Sequence, residues 1–268
     1  MSKIVRASAE LIDRASSSRL TTSYGASAAS RTHVMVRLTD EDGRHGYGEA
    51  SPLPSFTGET AASIHLQLSR EFLPLVLGHS PFDLAAIHQQ LNRLPENSSA
   101  KAAVDIALYD LMGKQAGLTV TQLLGGAVRP DVPVTFPLGI DTIETTVAKA
   151  VEQVERGIRT LKMKIGFDPD ADVARVKAVR DAVGSEVALR IDANQGYDVP
   201  SACRIVSRLA DVGVEYVEQP VAQWDFAGLA TVRRSTGMRV MVDESLHTLR
   251  DAQRLIELEA ADIFAIKL

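Results

Sequence analysis

Six ionisable side chains, Lys162, Lys164, Asp192, Glu218, Asp243 and Lys267, have types and spacing that could do chemistry together. Each ends or follows an apolar run: Leu161-Lys162-Met163-Lys164, Leu189-Arg190-Ile191-Asp192, Tyr216-Val217-Glu218, Met241-Val242-Asp243 and Phe264-Ala265-Ile266-Lys267. Asp192 follows Lys164 by 28 residues, Glu218 follows by 26 more, Asp243 by 25 and Lys267 by 24. A period of that size holds one strand, one helix and two loops, the mark of a repeating β/α unit. In a barrel of parallel strands the C-terminal strand ends open on one face, where active sites are built. Three carboxylates meeting there repel one another, and a divalent cation relieves the repulsion. All-oxygen ligation suits a hard ion such as Mg²⁺. Lys162 and Lys164 alternate with Met163, so on a strand they share a face. Two ammonium groups within about 7 Å depress each other's pKa. A lysine made partly neutral at physiological pH can accept a proton. Solvated surface lysines are the bland alternative, weakened by the apolar strand around them. Asn194, in the loop after Asp192, could support the metal ligands. Glu244 would point away from Asp243; it is expected to be a supporting residue near Lys267.

These segments resemble the enolase superfamily, and within it the muconate-lactonizing-enzyme subgroup of the mandelate racemase/muconate lactonizing enzyme family. Lys162-Met163-Lys164 matches the subgroup's Lys-x-Lys on the second barrel strand. Asp192, Glu218 and Asp243 match its metal ligands on strands three to five, and Lys267 its lysine on strand six. The contexts Arg190-Ile191-Asp192-Ala193-Asn194, Val217-Glu218-Gln219-Pro220, Asp243-Glu244-Ser245 and Ile266-Lys267-Leu268 match as well. One short match would be weak; five in order at barrel spacing are specific. The resemblance implies Mg²⁺ as cofactor, with Mn²⁺ as the alternative ion, and removal of a proton α to a carboxylate through an enediolate. Lys164 and Lys267 would stand on opposite faces of the substrate, with Lys162 as a further catalytic residue. Tyr24 and Phe56 lie in stretches where relatives carry loops that close on substrate, and are expected to contact it.

The elements that must position these residues follow from periodicity. Residues 3–14 and 31–38 and the stretch from Gly46 read as a small antiparallel sheet. Thr21 to Ser30 and Ser51 to Gly58 read as solvated connections. Helices are predicted over Glu59 to Leu73, ending before Pro74, over Pro81 to Leu94, and over Ser98 to Ala116, with Ser98 or Ser99 as cap. Asp105 and Asp110 are expected to be structural. Val132 to Leu138, Thr160 to Ile165, Val187 to Asp192, Gly213 to Glu218, Arg239 to Asp243 and Asp262 to Lys267 are predicted barrel strands. Helices Ile143 to Arg156, Pro169 to Val183, Pro200 to Ala210, Trp224 to Arg234 and Thr248 to Glu259 lie between them. The expected fold is an α+β capping domain over residues 1–124, then a (β/α) TIM-type barrel over 125–268. Six strands do not close an eight-stranded barrel, which takes about 250 residues. The chain is therefore expected to be an incomplete record of a longer protein.

Composition excludes other classes. The chain has 268 residues, 45% hydrophobic and 24% charged, with a net charge of −5. Nothing there invites nucleic acid or an anionic membrane. Cys203 is the single cysteine, so no internal disulfide or thiolate cluster can form. No signal peptide or spanning run is evident, and the cytoplasm is the default compartment. The expected partners are a small carboxylate substrate and further copies of the chain in a homo-oligomer. The expected function is a racemase or epimerase of an amino-acid derivative or dipeptide. Muconate-type cycloisomerase and acid dehydratase are the alternatives within the family. The rival from another class is a non-catalytic barrel fragment; loss of any of the carboxylates or of Lys164 would favour it, and all are present.

Overall fold

The structure, a computed structural model, describes residues 2–15 and 20–267. Leu268, the last residue of the Ile-Lys-Leu match, lies outside them. The chain divides into two compact units. One holds the described parts of Met1–Ser17 and Ala29–Pro130, the other those of Ser18–Ala28 and Asp131–Leu268.

In the first unit, strands β1 (Ile4–Ala15), β2 (Ser30–Asp40) and β3 (His45–Ala50) form an antiparallel sheet with β2 in the middle. Val34, Val36 and Leu38 alternate toward the core and are fully buried. Against them pack the helices α1 (Ala61–Gln67), α2 (Leu84–Leu91) and α3 (Ser98–Ala116). Three expectations change here. The first helix does not end before Pro74. A π-helical turn, Leu68–Phe72, resets the ladder, so Pro74 falls in the first turn of Leu73–Val76, where a missing N–H costs nothing. Pro81 lies in a turn before α2, outside the helix. The cap of α3 is not a serine hydroxyl: buried Glu59 accepts from the Ser99 N–H at 3.0 Å and from its hydroxyl at 2.7 Å. Asp105 pairs with His88 and Asp110 with Lys114, in keeping with structural roles.

The second unit carries a six-stranded sheet in strict sequence order: β4 (Phe136–Leu138), β5 (Thr160–Lys164), β6 (Ala188–Asp192), β7 (Val214–Glu218), β8 (Val240–Val242) and β9 (Ile263–Phe264). Every neighbouring pair is parallel. Between the strands run α4 (Ile143–Glu155), α5 (Pro169–Val183), α6 (Val199–Arg208), α7 (Phe226–Thr236) and α8 (Leu249–Glu257). This is the β/α repeat of a barrel. Its core is the layer between strands and helices, around Leu161, Met163, Leu189, Ile191, Val217 and Val240. Strand β4 is shorter than predicted: Val132 and Val134 are exposed, and Pro133 between them has no N–H to give a ladder. Strands β8 and β9 also stop early, leaving Asp243 and Lys267 on the chain beyond them. The stretch predicted as a solvated connection at Thr21 to Ser30 contains a small hairpin, Thr21–Thr22 paired with Gly25–Ala26, and as far as Ala28 it belongs with this second unit. The other, Ser51 to Gly58, contains a one-turn helix, Pro54–Thr57, on which Phe56 is half-buried.

Candidate active site

Strand register brings the first charged residues together. Lys164 pairs with Asp192 across β5 and β6, and Asp192 with Glu218 across β6 and β7. Lys164 Nζ donates to Asp192 Oδ2 at 2.5 Å and to Asn194 Oδ1 at 2.7 Å. Lys162, two residues earlier on the same face, reaches Asp192 Oδ2 at 3.1 Å and Glu218 Oε1 at 3.0 Å. Lys267 pairs with Asp243.

Burial makes these charges interdependent. Asp192 is fully buried, and burial alone would raise its carboxyl. Lys164 and Lys162 outweigh that and hold it below the usual carboxylate range. Glu218 goes the other way: burial, then the Asp192 charge beside it, push it up to about 7 despite Lys162. For Lys162, burial opposes the charge, but Asp192 and Glu218 more than offset it and the pKa rises. The expected mutual depression of the two lysines therefore fails at Lys162, because each lysine finds carboxylates on neighbouring strands that its own strand does not reveal.

Glu244 also departs from expectation. It is a buried supporting residue, but its partners are Asn194 Nδ2 at 3.0 Å and the Tyr24 hydroxyl at 2.8 Å, while Lys267 reaches Asp243. Burial raises its carboxyl above the usual range. Tyr24 sits on the hairpin turn, with Ser23 Oγ donating to the Asn194 carbonyl at 2.8 Å. Gln195 Nε2 donates to the Tyr24 hydroxyl. Gln195 and Gln219 were not singled out by the sequence. Gln219 is fully buried; its side-chain oxygen accepts from the Asp243 N–H at 3.2 Å and its amide donates to Ser245 Oγ at 2.7 Å. An amide directly after a buried strand-end carboxylate was the available signal. Phe56 belongs to the first unit.

Among the described residues, no three acidic, histidine or cysteine side chains stand close enough to hold a metal ion. Asp192 and Glu218 nevertheless fit one. Their carboxylates supply oxygen donors in a buried setting, and the Lys162 ammonium lies between them where a cation is favoured. Asp243 stands on the next strand's exit, engaged by Lys267.

Comparison with known proteins identifies the family and the fold. The family model described as mandelate racemase/muconate lactonizing enzyme, N-terminal domain, matches residues 11–125. The one described as enolase C-terminal domain-like matches residues 145–268. The chain is similar to a hydrophobic dipeptide epimerase of Enterococcus faecalis, 41% identical over 88% of this chain and 66% of that protein. It is also similar to a chloromuconate cycloisomerase of Cupriavidus necator, 32% identical over 89% of this chain and 65% of that one. A crystal structure of the Enterococcus faecalis dipeptide epimerase complexed with Mg and the dipeptide L-Leu-L-Tyr superposes with a TM-score of 0.91 at 37% identity, covering 98% of this chain and 73% of that one. The chain spans about two thirds of the length of the curated relatives it matches. It belongs to the mandelate racemase/muconate lactonizing enzyme family of the enolase superfamily.

Proposed function

We propose that the protein is a Mg²⁺-dependent isomerase that removes and returns the proton α to a carboxylate, acting as an epimerase or racemase of a dipeptide or other N-acyl amino acid. The observation that carries this reading is Lys164 Nζ held at 2.5 Å from Asp192 and 2.7 Å from Asn194, next to the paired Asp192 and Glu218. Asp192, Glu218 and Asp243 would hold the cation. When bound, it would supply positive charge to the substrate carboxylate and so stabilise an enediolate. Lys164 would exchange the proton at its Nζ on one face of the substrate, and Lys267 on the other. Asp192 and Asn194 aim the Lys164 ammonium. Lys162 holds charge on the carboxylate side. Asn194 and Glu244 would support this set. Tyr24 and Phe56 are proposed as substrate contacts; for Tyr24 the support is its hairpin tied to Asn194 and Glu244. Mn²⁺ would serve as the alternative ion. A cytoplasmic homo-oligomer is part of the same proposal.

A cycloisomerase is the second reading, favoured by the similarity to the chloromuconate enzyme. The two differ in a measurable way. The purified protein, given Mg²⁺ and a panel of dipeptides, N-acyl amino acids and muconates in D₂O, should incorporate deuterium at the α-carbon with inversion. Exchange without inversion would favour one-base chemistry. Lys164→Ala should slow exchange by about 10²–10⁴-fold; exchange at the parent rate in that variant would sink the assignment.

A further inference from the structure

Three buried residues that the proposed chemistry does not use gather behind Lys164. Asp172, Arg175 and Tyr197 are 1%, 3% and 8% exposed. Arg175 Nη2 donates to the Lys164 carbonyl at 2.7 Å and to Asp172 Oδ1 at 2.6 Å. Asp172 Oδ2 accepts from the Gly166 N–H at 2.9 Å, the Phe167 N–H at 3.1 Å and the Tyr197 hydroxyl at 2.6 Å. One carboxylate thus accepts four hydrogen bonds, from the main chain of Gly166 and Phe167, a tyrosine and an arginine. The Arg175 Nε has no acceptor among the described residues, while Nη2 makes both of the bonds above.

The location gives this network its meaning. Lys164 is the last residue of β5, and past it the chain turns sharply. Gly166 has φ +105°, and a Cβ there would lie 2.4 Å from the Ala193 carbonyl oxygen. Only Ile165 N, donating to the Asp192 carbonyl at 2.9 Å, continues the ladder. The Lys164 main chain is therefore held both by its pairing with Asp192 on β6 and by side chains from α5 and the loop before α6 that take its carbonyl and the turn after it.

We propose that Asp172, Arg175 and Tyr197 form a buried clamp that positions Lys164, holding its carbonyl and the turn after it so that Nζ stays aimed between Asp192 and Asn194. These are positioning residues, since Arg175 touches the Lys164 backbone and none of the three touches its ammonium. The consequence for turnover rests on the functional reading above; the placement of Lys164 does not.

The test has two readouts. The first is acylation of Lys164 by acetic anhydride, followed by mass spectrometry of its peptide. Loss of the clamp releases Nζ from its carboxylate, so Arg175→Met and the milder Tyr197→Phe should acylate Lys164 at least threefold faster. Arg180→Met is the structural control. Arg180 lies on the same helix but binds the carbonyls of Gly184, Val187, Val212 and Gly213. It should lower the melting temperature and leave Lys164 acylation at the parent rate. The second readout is α-proton exchange. Tyr197→Phe should lower kcat about tenfold with KM within twofold, and Arg175→Lys should recover part of the loss seen with Arg175→Met. Unchanged Lys164 acylation in Tyr197→Phe, or an equal rise in Arg180→Met, overturns the clamp. If Arg175→Met does not fold, Tyr197→Phe decides alone. Absence of exchange in the parent protein would count against the functional reading and leave the acylation comparison standing.

Discussion

Lys162 carries the charge balance between Asp192 and Glu218, bridging them at 3.1 and 3.0 Å. Two buried carboxylates on adjacent strands need such a countercharge, because removing one partner of a buried pair costs about 3–5 kcal/mol. Glu218 can relieve part of this by taking up a proton, since its pKa already stands at about 7. Lys162→Met should therefore destabilise the metal-free protein by about 2–3 kcal/mol, measured by urea unfolding. Saturating Mg²⁺ should restore most of that loss, because it supplies the same charge. A variant as unstable with Mg²⁺ as without it would mean that the lysine acts through packing. The places of the six ionisable residues at or just past strand ends were legible in the sequence because strand ends recur at a nearly constant period. The direction of the Lys162 shift was not, because its partners lie 30 and 56 positions further along the chain.

At the scale of elements, close approach and strand stapling decide what can be changed. In the first unit, β3 lies so near α3 that a Cβ on Gly48 would stand 1.9 Å from the Ala103 carbonyl oxygen. That atom is helix backbone and cannot swing aside. Gly48→Ala should cost about 2–3 kcal/mol or more, the upper range for overpacking, seen as a lower urea midpoint. In the second unit, Asp262 staples α7 to β8. It accepts from Arg233 Nη2 at 2.7 Å and from the Val240 N–H at 2.9 Å. Burial alone would raise this carboxyl, but Arg233 and the Val240 N–H hold it below the usual range. The sign follows: the staple is present above the unfolded carboxyl pKa of about 4 and is lost as pH falls through the lower folded value. Asp262→Asn should cost about 1–2 kcal/mol at pH 7 and flatten the acid limb of the stability profile. An unchanged acid limb would show that the pair contributes nothing. Neither contact could be read from the sequence, since glycine spacing does not reveal a helix crossing. The strands themselves were legible from apolar runs. Their ends were not, where Pro133 removed a donor and where the π turn at Leu68–Phe72 let a helix pass Pro74.

At the scale of the whole molecule, six parallel strands in sequence order bring Lys164, Asp192, Glu218 and Asp243 to corresponding strand ends. The unfolded chain holds these residues dozens of positions apart and cannot present them together. A cation that binds at those ends must therefore bind the native state alone and stabilise it by mass action. At about a hundredfold excess over its dissociation constant, Mg²⁺ should add about 2.7 kcal/mol. For a chain of this size that is a rise in melting temperature of roughly 5–10 °C. Sodium chloride at the same ionic strength should not reproduce it, because screening acts on exposed charges and leaves buried ones largely untouched. Asp192→Asn and Glu218→Gln should each abolish most of the Mg²⁺ shift. Asp243→Asn separates two arrangements. A lost shift would mean that Mg²⁺ draws Asp243 away from Lys267 and onto the ion. A retained shift would mean that Asp192 and Glu218 suffice, with Asp243 serving Lys267. No shift in the parent protein at any Mg²⁺ concentration would refute a resident cation at these strand ends.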